Sequence, residues 1–172
     1  MKALLIGLLL LAPHLDARAR RGVEVVVDKG FALDDYGPLT VYNLDARDFF
    51  KQIQDDKRYD QYHDQVQALN DTLTNTLLDL SDERARAKGP ALKLKMVLDE
   101  FRMGSAAARV WVGYGAGNGD LKTDVYLYSG GQLVYNFITT VPIAGGWGAV
   151  NLRRFYAVTA HMIEDQLEGN GR

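Results

Sequence analysis

Three side chains with the spacing of metal ligands stand near the middle of this chain. Asp60, His63 and Asp64 lie three and four residues apart, so on a helix they share one face and would offer two carboxylates and an imidazole to a hard or borderline cation. Their surroundings argue for a plainer role. Asp55 to Gln67 is charged or polar almost throughout, and Lys57 and Arg58 supply neutralising partners, which is the pattern of a solvated helix face. A metal-dependent hydrolase would need a third acidic group converging with these three in a pocket, so no metal site is assigned. The glycines at 113, 115, 117 and 119 invite comparison with a phosphate cradle. A P-loop requires Lys and then Ser or Thr after its last glycine, and Asp120 and Leu121 follow here. The dinucleotide fingerprint fails as well, because its third glycine falls on Asn118 or Asp120 and the segment leads into an alternating strand instead of a helix N-terminus. These glycines are read as bending or bulging a sheet. Ser81, Ser105 and Ser129 lie in turn or cap contexts without a nucleophile-elbow pattern, and the absence of cysteine excludes thiol catalysis and thiolate-bound metals. The reading is therefore of a protein that is not an enzyme, with no catalytic residue and no cofactor.

Binding chemistry has more to work with. By strand parity Trp111, Tyr126 and Tyr128 can share one sheet face that stacks on sugar rings or receives an apolar partner, and Tyr126 and Tyr128 form the candidate interaction surface. The same parity lets these rings pack beneath a helix carrying Phe155 and Ile163, the expectation favoured by the burial of most large aromatics. Arg109 is expected to fork onto a carboxylate such as Asp99 or Asp124.

The elements that must hold these residues follow from composition and periodicity. With 172 residues, 47% of them hydrophobic, the chain has the material for one core, and a formal charge of -2 lacks the basic footprint of a nucleic-acid binder. Lys2, the apolar run Ala3 to Ala12, Pro13 and the small residues of Ala17-Arg18-Ala19 read as a signal peptide over residues 1–19, cleaved after Ala19. That run is about half the length a spanning helix needs. Residues 20–172 are then a single exported domain, periplasmic or secreted, with no stable membrane span after cleavage.

Val23 to Val27 is β-branched and reads as a strand buried on both faces, followed by a loop from Asp28 to Pro38. Asn43 and Asp45 are expected to cap a helical region with Asp48 in its first turn. Val66, Leu69, Leu73, Leu77 and Leu80 make its apolar stripe, and Arg84, Arg86 and Lys88 before Gly89-Pro90 mark its end. The span is long for one helix, so a break is expected near Asp55 to Asp60 or at Asn70-Asp71. Leu92, Leu94, Met96 and Leu98 alternate with Lys93, Lys95, Val97 and Asp99 as a half-buried strand, and Gly104-Ser105 turns the chain. Leu121 to Leu127 and Leu133 to Phe137 flank Ser129-Gly130-Gly131 as a hairpin. Pro142 and Gly145-Gly146 end its second arm, and Leu152 to Leu167 is a final amphipathic helix. The fold class is α+β, a layered sandwich of a mostly antiparallel sheet with helices packed on it.

The string Arg109-Val110-Trp111-Val112-Gly113-Tyr114-Gly115-Ala116-Gly117, preceded by Phe101 to Gly104 and followed by the Asp124 to Phe137 hairpin, resembles the signature of a bacterial exported family, domain of unknown function 4410. The resemblance covers about Leu92 to Leu167, with Arg109, Trp111, Gly113, Gly115 and Gly117 as signature positions. It implies an envelope protein with a sheet-and-helix domain similar to that of the curli-secretion lipoprotein group, and no established activity. Two departures stand out: the lipobox cysteine common among members is absent, and the Asp45 to Ala87 region is longer and more charged than the family leads one to expect. The implied role is that of a non-enzymatic protein-interaction module whose partner is another envelope protein, with a glycan or peptidoglycan-binding domain as the alternative and a metal-dependent envelope hydrolase behind it.

Overall fold

The alternation that starts at Leu92 organises the molecule. The computed structural model describes residues 22–103, 119–143 and 151–169. Strand β3 (Leu92–Phe101) turns Leu92, Leu94, Met96 and Leu98 into the core while Lys93, Lys95 and Asp99 stay exposed. It pairs antiparallel with β4 (Gly119–Ser129), and β4 with β5 (Gln132–Ile143). Gly130 and Gly131 make the tight turn between β4 and β5 at φ +56° and +81°, left-handed positions that glycine adopts without a Cβ clash. Strand β1 (Gly22–Asp28) adds antiparallel to β5, and the short β2 (Leu39–Val41) adds parallel to β3. The five-stranded sheet has the order β1-β5-β4-β3-β2.

Helices α1 (Arg47–Gln52), α2 (Tyr59–Glu83) and α3 (Leu152–Gly169) lie against the apolar face of this sheet, the α+β layering expected from the sequence. Val66, Leu69, Leu73, Leu77 and Leu80 of α2 are all buried, and Tyr156, Ile163 and Leu167 of α3 are fully so. Burying each such side chain contributes about 1.5–3 kcal/mol, which is how a cysteine-free chain is held together. Phe101 of β3 meets the rings of Phe49, Tyr62 and Tyr156 at centroid distances of 5.7–6.4 Å, tying all three helices to one strand. The loop from β1 to β2 crosses from one edge of the sheet to the other. Phe31 pins it by stacking on Tyr135 at 4.8 Å, and a 3-10 turn at Leu33–Asp35 interrupts the expected loop.

Several local expectations are corrected. The first strand is an edge strand, not one buried on both faces: Val25 and Val26 are 46% and 52% exposed, beside a bulge between Val25 and Val27. A β-branched composition suits a pleated strand but does not say whether a neighbour lies on both sides. Asn43 does not cap α1, and the N-cap position is Ala46 without a side-chain bond, but Asp45 one residue earlier accepts from the first helical amide, that of Arg47, at 3.1 Å. The helical region breaks between Gln52 and Tyr59, while Asn70-Asp71 lies within continuous α2. Asn70 is drawn into tertiary structure there, its Oδ1 accepting from the Leu44 amide at 2.8 Å. Helix α2 ends at Glu83, so Arg86 and Lys88 lie beyond it and Gly89 is not its cap. Gly89, at φ +135°, instead allows a close approach of backbones, since a Cβ on it would stand 2.9 Å from the Asp35 carbonyl oxygen and one on Gly37 would clash with the Gly89 carbonyl oxygen. Arg84 locks the same corner by donating to the carbonyls of Leu33 and Tyr36, both at 2.6 Å. Pro142 lies inside β5, which runs to Ile143.

Candidate interaction face

The side of the sheet opposite the helices is polar and aromatic. Because β3 and β4 pair with Lys93 opposite Tyr128 and Lys95 opposite Tyr126, alternate residues of both strands emerge together on it. Among the described residues no helix covers this face, and Tyr126 and Tyr128 are each only partly buried. Packing beneath the Phe155 and Ile163 helix is thus overturned for these two rings. The position under the helices is taken by Val125 and Leu127, which are fully buried.

The Tyr126 and Tyr128 rings stack with centroids 6.4 Å apart and planes 24° from parallel. The Lys95 ammonium lies 5.4 Å from the Tyr128 ring centre and 5.9 Å from that of Tyr42, which is 40% exposed just after β2. Such a cation over a ring contributes about 0.5–1 kcal/mol at exposed sites and holds the flexible lysine stem in place. Neither Lys93 nor Lys95 has an ion-pair partner among the described residues. Further along the same face Asp124 accepts from the Tyr126 hydroxyl and from Asn136 Nδ2, both at 2.9 Å. Burial first, and this hydrogen bond second, push the Tyr126 hydroxyl up to about 12. Asp99 pairs with Lys122 at 3.1 Å, and its hydrogen bond raises the lysine above its ordinary value. The face therefore divides into a carboxylate-neutralised end and an end of stacked tyrosines with unpaired lysines.

Other sequence-derived candidates are placed differently. Asp60, His63 and Asp64 are exposed on α2, and the His63 ring leans on Phe50 at 5.6 Å. Among the described residues no three His, Asp or Glu side chains are grouped to hold a metal ion. The signature positions Arg109, Trp111, Gly113, Gly115 and Gly117, the Gly104-Ser105 turn, Gly145-Gly146 and the signal peptide lie outside the described residues. Tyr42, Lys93 and Lys95 were not singled out as site residues by sequence reasoning. Strand alternation already put both lysines on the polar side of their strand, but Tyr42 carried no signal, because the three-residue β2 is too short for periodicity to reveal.

A two-layer α+β sandwich whose basic and aromatic sheet face is covered by no helix among the described residues is the class of structure defined by this geometry. The chain belongs to the family described as domain of unknown function 4410, whose model matches residues 35–146. That match begins earlier than the signature string suggests, taking in α1 and α2, and stops before α3. A comparison with curated proteins finds no match. Among solved structures, two crystal forms of the PelC dodecamer from Paraburkholderia phytofirmans, one of them a point variant, are similar to this chain. Each has 13% identity and a TM-score of 0.45, covering 87% of this chain and 98% of theirs. Among the described residues no helix is long and apolar enough to cross a membrane.

Proposed function

We propose that this protein is an exported, non-enzymatic protein-interaction module of the bacterial cell envelope, periplasmic or secreted, that binds through the outer face of its sheet. The observation that carries this reading is the end of that face where Lys95 lies over the rings of Tyr42 and Tyr128, Tyr126 stacks on Tyr128, and no carboxylate among the described residues pairs with the lysine. Aromatic rings supply contact area at little entropic cost, and an unpaired cation beside them sets the charge of what fits. The signal-like segment at residues 1–19 supports export of the domain at 20–172. A second reading, a glycan or peptidoglycan-binding domain, draws on the same three tyrosines, since sugar rings stack on contiguous exposed aromatics.

The test is affinity capture of the chain from its exporting host, with Tyr128→Ala and Lys95→Glu compared with the native sequence. A specific envelope protein is expected to co-purify with the native chain and to be lost with both variants, while the intact mass of the captured chain starts at Arg20. Retention of every partner by both variants would sink the reading. Binding of purified protein to peptidoglycan, lost with Tyr128→Ala, would put the glycan reading in its place.

A further inference from the structure

The solvent side of α2 has the opposite chemistry to the tyrosine and lysine end of the sheet. From Tyr59 to Glu83 the helix contains six acidic residues and neither Lys nor Arg. Asp60, Asp64, Asp71, Leu78 and Asp82 recur at steps of four or seven, which sets them in one stripe diametrically opposed to the buried Leu69, Leu73 and Leu80. All five are exposed, and none of the four carboxylates is in an ion pair among the described residues. Leu78 is 42% exposed in the middle of this acidic stripe, with no apolar neighbour on the helix surface to explain it. Asp71 lies about 10 Å before it along the axis and Asp82 about 6 Å after it.

The sheet face is the converse arrangement, an apolar shelf of two stacked tyrosines on β4 with Lys93 and Lys95 beside them on β3, about 7 Å apart along that strand. We infer that the Tyr126 and Tyr128 face of one copy docks on the α2 stripe of a second copy, with Leu78 on the tyrosine shelf and Asp71 and Asp82 toward the lysines. This rests on reading the sheet face as a binding surface and names what that surface accepts. Like faces repel, because acidic stripe on acidic stripe and lysines on lysines juxtapose equal charges. The contact therefore joins unlike faces. Those faces lie on opposite layers of the sandwich, so a bound pair presents one free face of each kind, and association is head to tail.

The experiment uses purified chain alone, in sedimentation velocity over a range of concentrations at low and high salt. Two charge-reversed proteins accompany it: K93E/K95E on the sheet and D71K/D82K on the helix. All four positions are exposed, and circular dichroism verifies that both variants fold. The native chain is expected to form species larger than a dimer, with association weakened about tenfold or more at 1 M salt, where the Debye length falls to about 3 Å. Each variant alone is expected to be monomeric, and an equimolar mixture to associate again, because the two native faces pair between the proteins and so do the two charge-reversed faces. A native chain that is monomeric throughout would overturn the inference, as would association undiminished in either variant or a mixture that does not combine. Loss of captured envelope partners by Lys95→Glu together with a monomeric native chain would overturn self-docking and leave the proposed function standing.

Discussion

Asp124 is the residue around which the outer face is arranged, since the Tyr126 hydroxyl and the Asn136 amide both donate to it. The tyrosine proton is held by burial and by this bond, so its folded value of about 12 stands above the unfolded value of about 10. A group whose folded value is raised contributes stability below the unfolded value and loses it as pH climbs through the folded one. The expected consequence is a tyrosinate absorbance step near pH 12 that is missing in Tyr126→Phe. The stability of that variant should fall less steeply than that of the native chain between pH 10 and 12, as followed by urea unfolding at each pH. Tyr156 is shifted in the same direction, by burial beneath the sheet.

At the scale of elements, α2 is a helix with two contrasting sides. Its propensities are ordinary and its exposed face is acidic, so most of its stability comes from the buried stripe. Leu73 is fully buried and Leu78, five residues on, is largely exposed. Leu73→Ala leaves a cavity under the sheet and is expected to cost about 2–5 kcal/mol in chemical denaturation. Leu78→Ala is expected to change stability by less than about 0.5 kcal/mol. The pair separates the side of α2 that builds the fold from the side available to a partner. A large loss on Leu78→Ala would mean that this residue is covered within the monomer.

Among the described residues three helices share one core with the five strands, and Phe101 meets a ring from each of these helices. The Tyr156 hydroxyl joins α3 to α2 by donating to Gln65 at 2.8 Å, and Gln166 donates to the Tyr135 hydroxyl of β5 at 2.6 Å. With helices and sheet cross-tied in this way, no layer has a core of its own to retain. Unfolding is therefore expected to be a single transition, with far-ultraviolet dichroism of the helices and near-ultraviolet dichroism of the buried tyrosines giving the same midpoint. Separate midpoints would mean that the helical layer melts from a surviving sheet.

Periodicity carried most of the elements, because a side chain's preference for water or core is local and repeats with the geometry of its own backbone. Leu92 to Leu98 alternated as a strand does, Val66 to Leu80 recurred as a helix face does, and Gly130-Gly131 marked a hairpin turn built on two left-handed residues. Only tertiary structure decided what lay beside each element. Val23 to Val27 reads the same at an edge as in the middle of a sheet, and Asn70 looks like a helix breaker until the Leu44 amide takes its oxygen. The candidate site has the same division. That Tyr126 and Tyr128 share a face followed from their spacing, but which face the helices cover depends on long-range packing against Val125 and Leu127, and the meeting of Lys95 with Tyr42 depends on a strand pairing across a helical crossover. Spacing along a chain determines which side chains point together; contact between segments distant in sequence determines whether they meet solvent, a helix or each other.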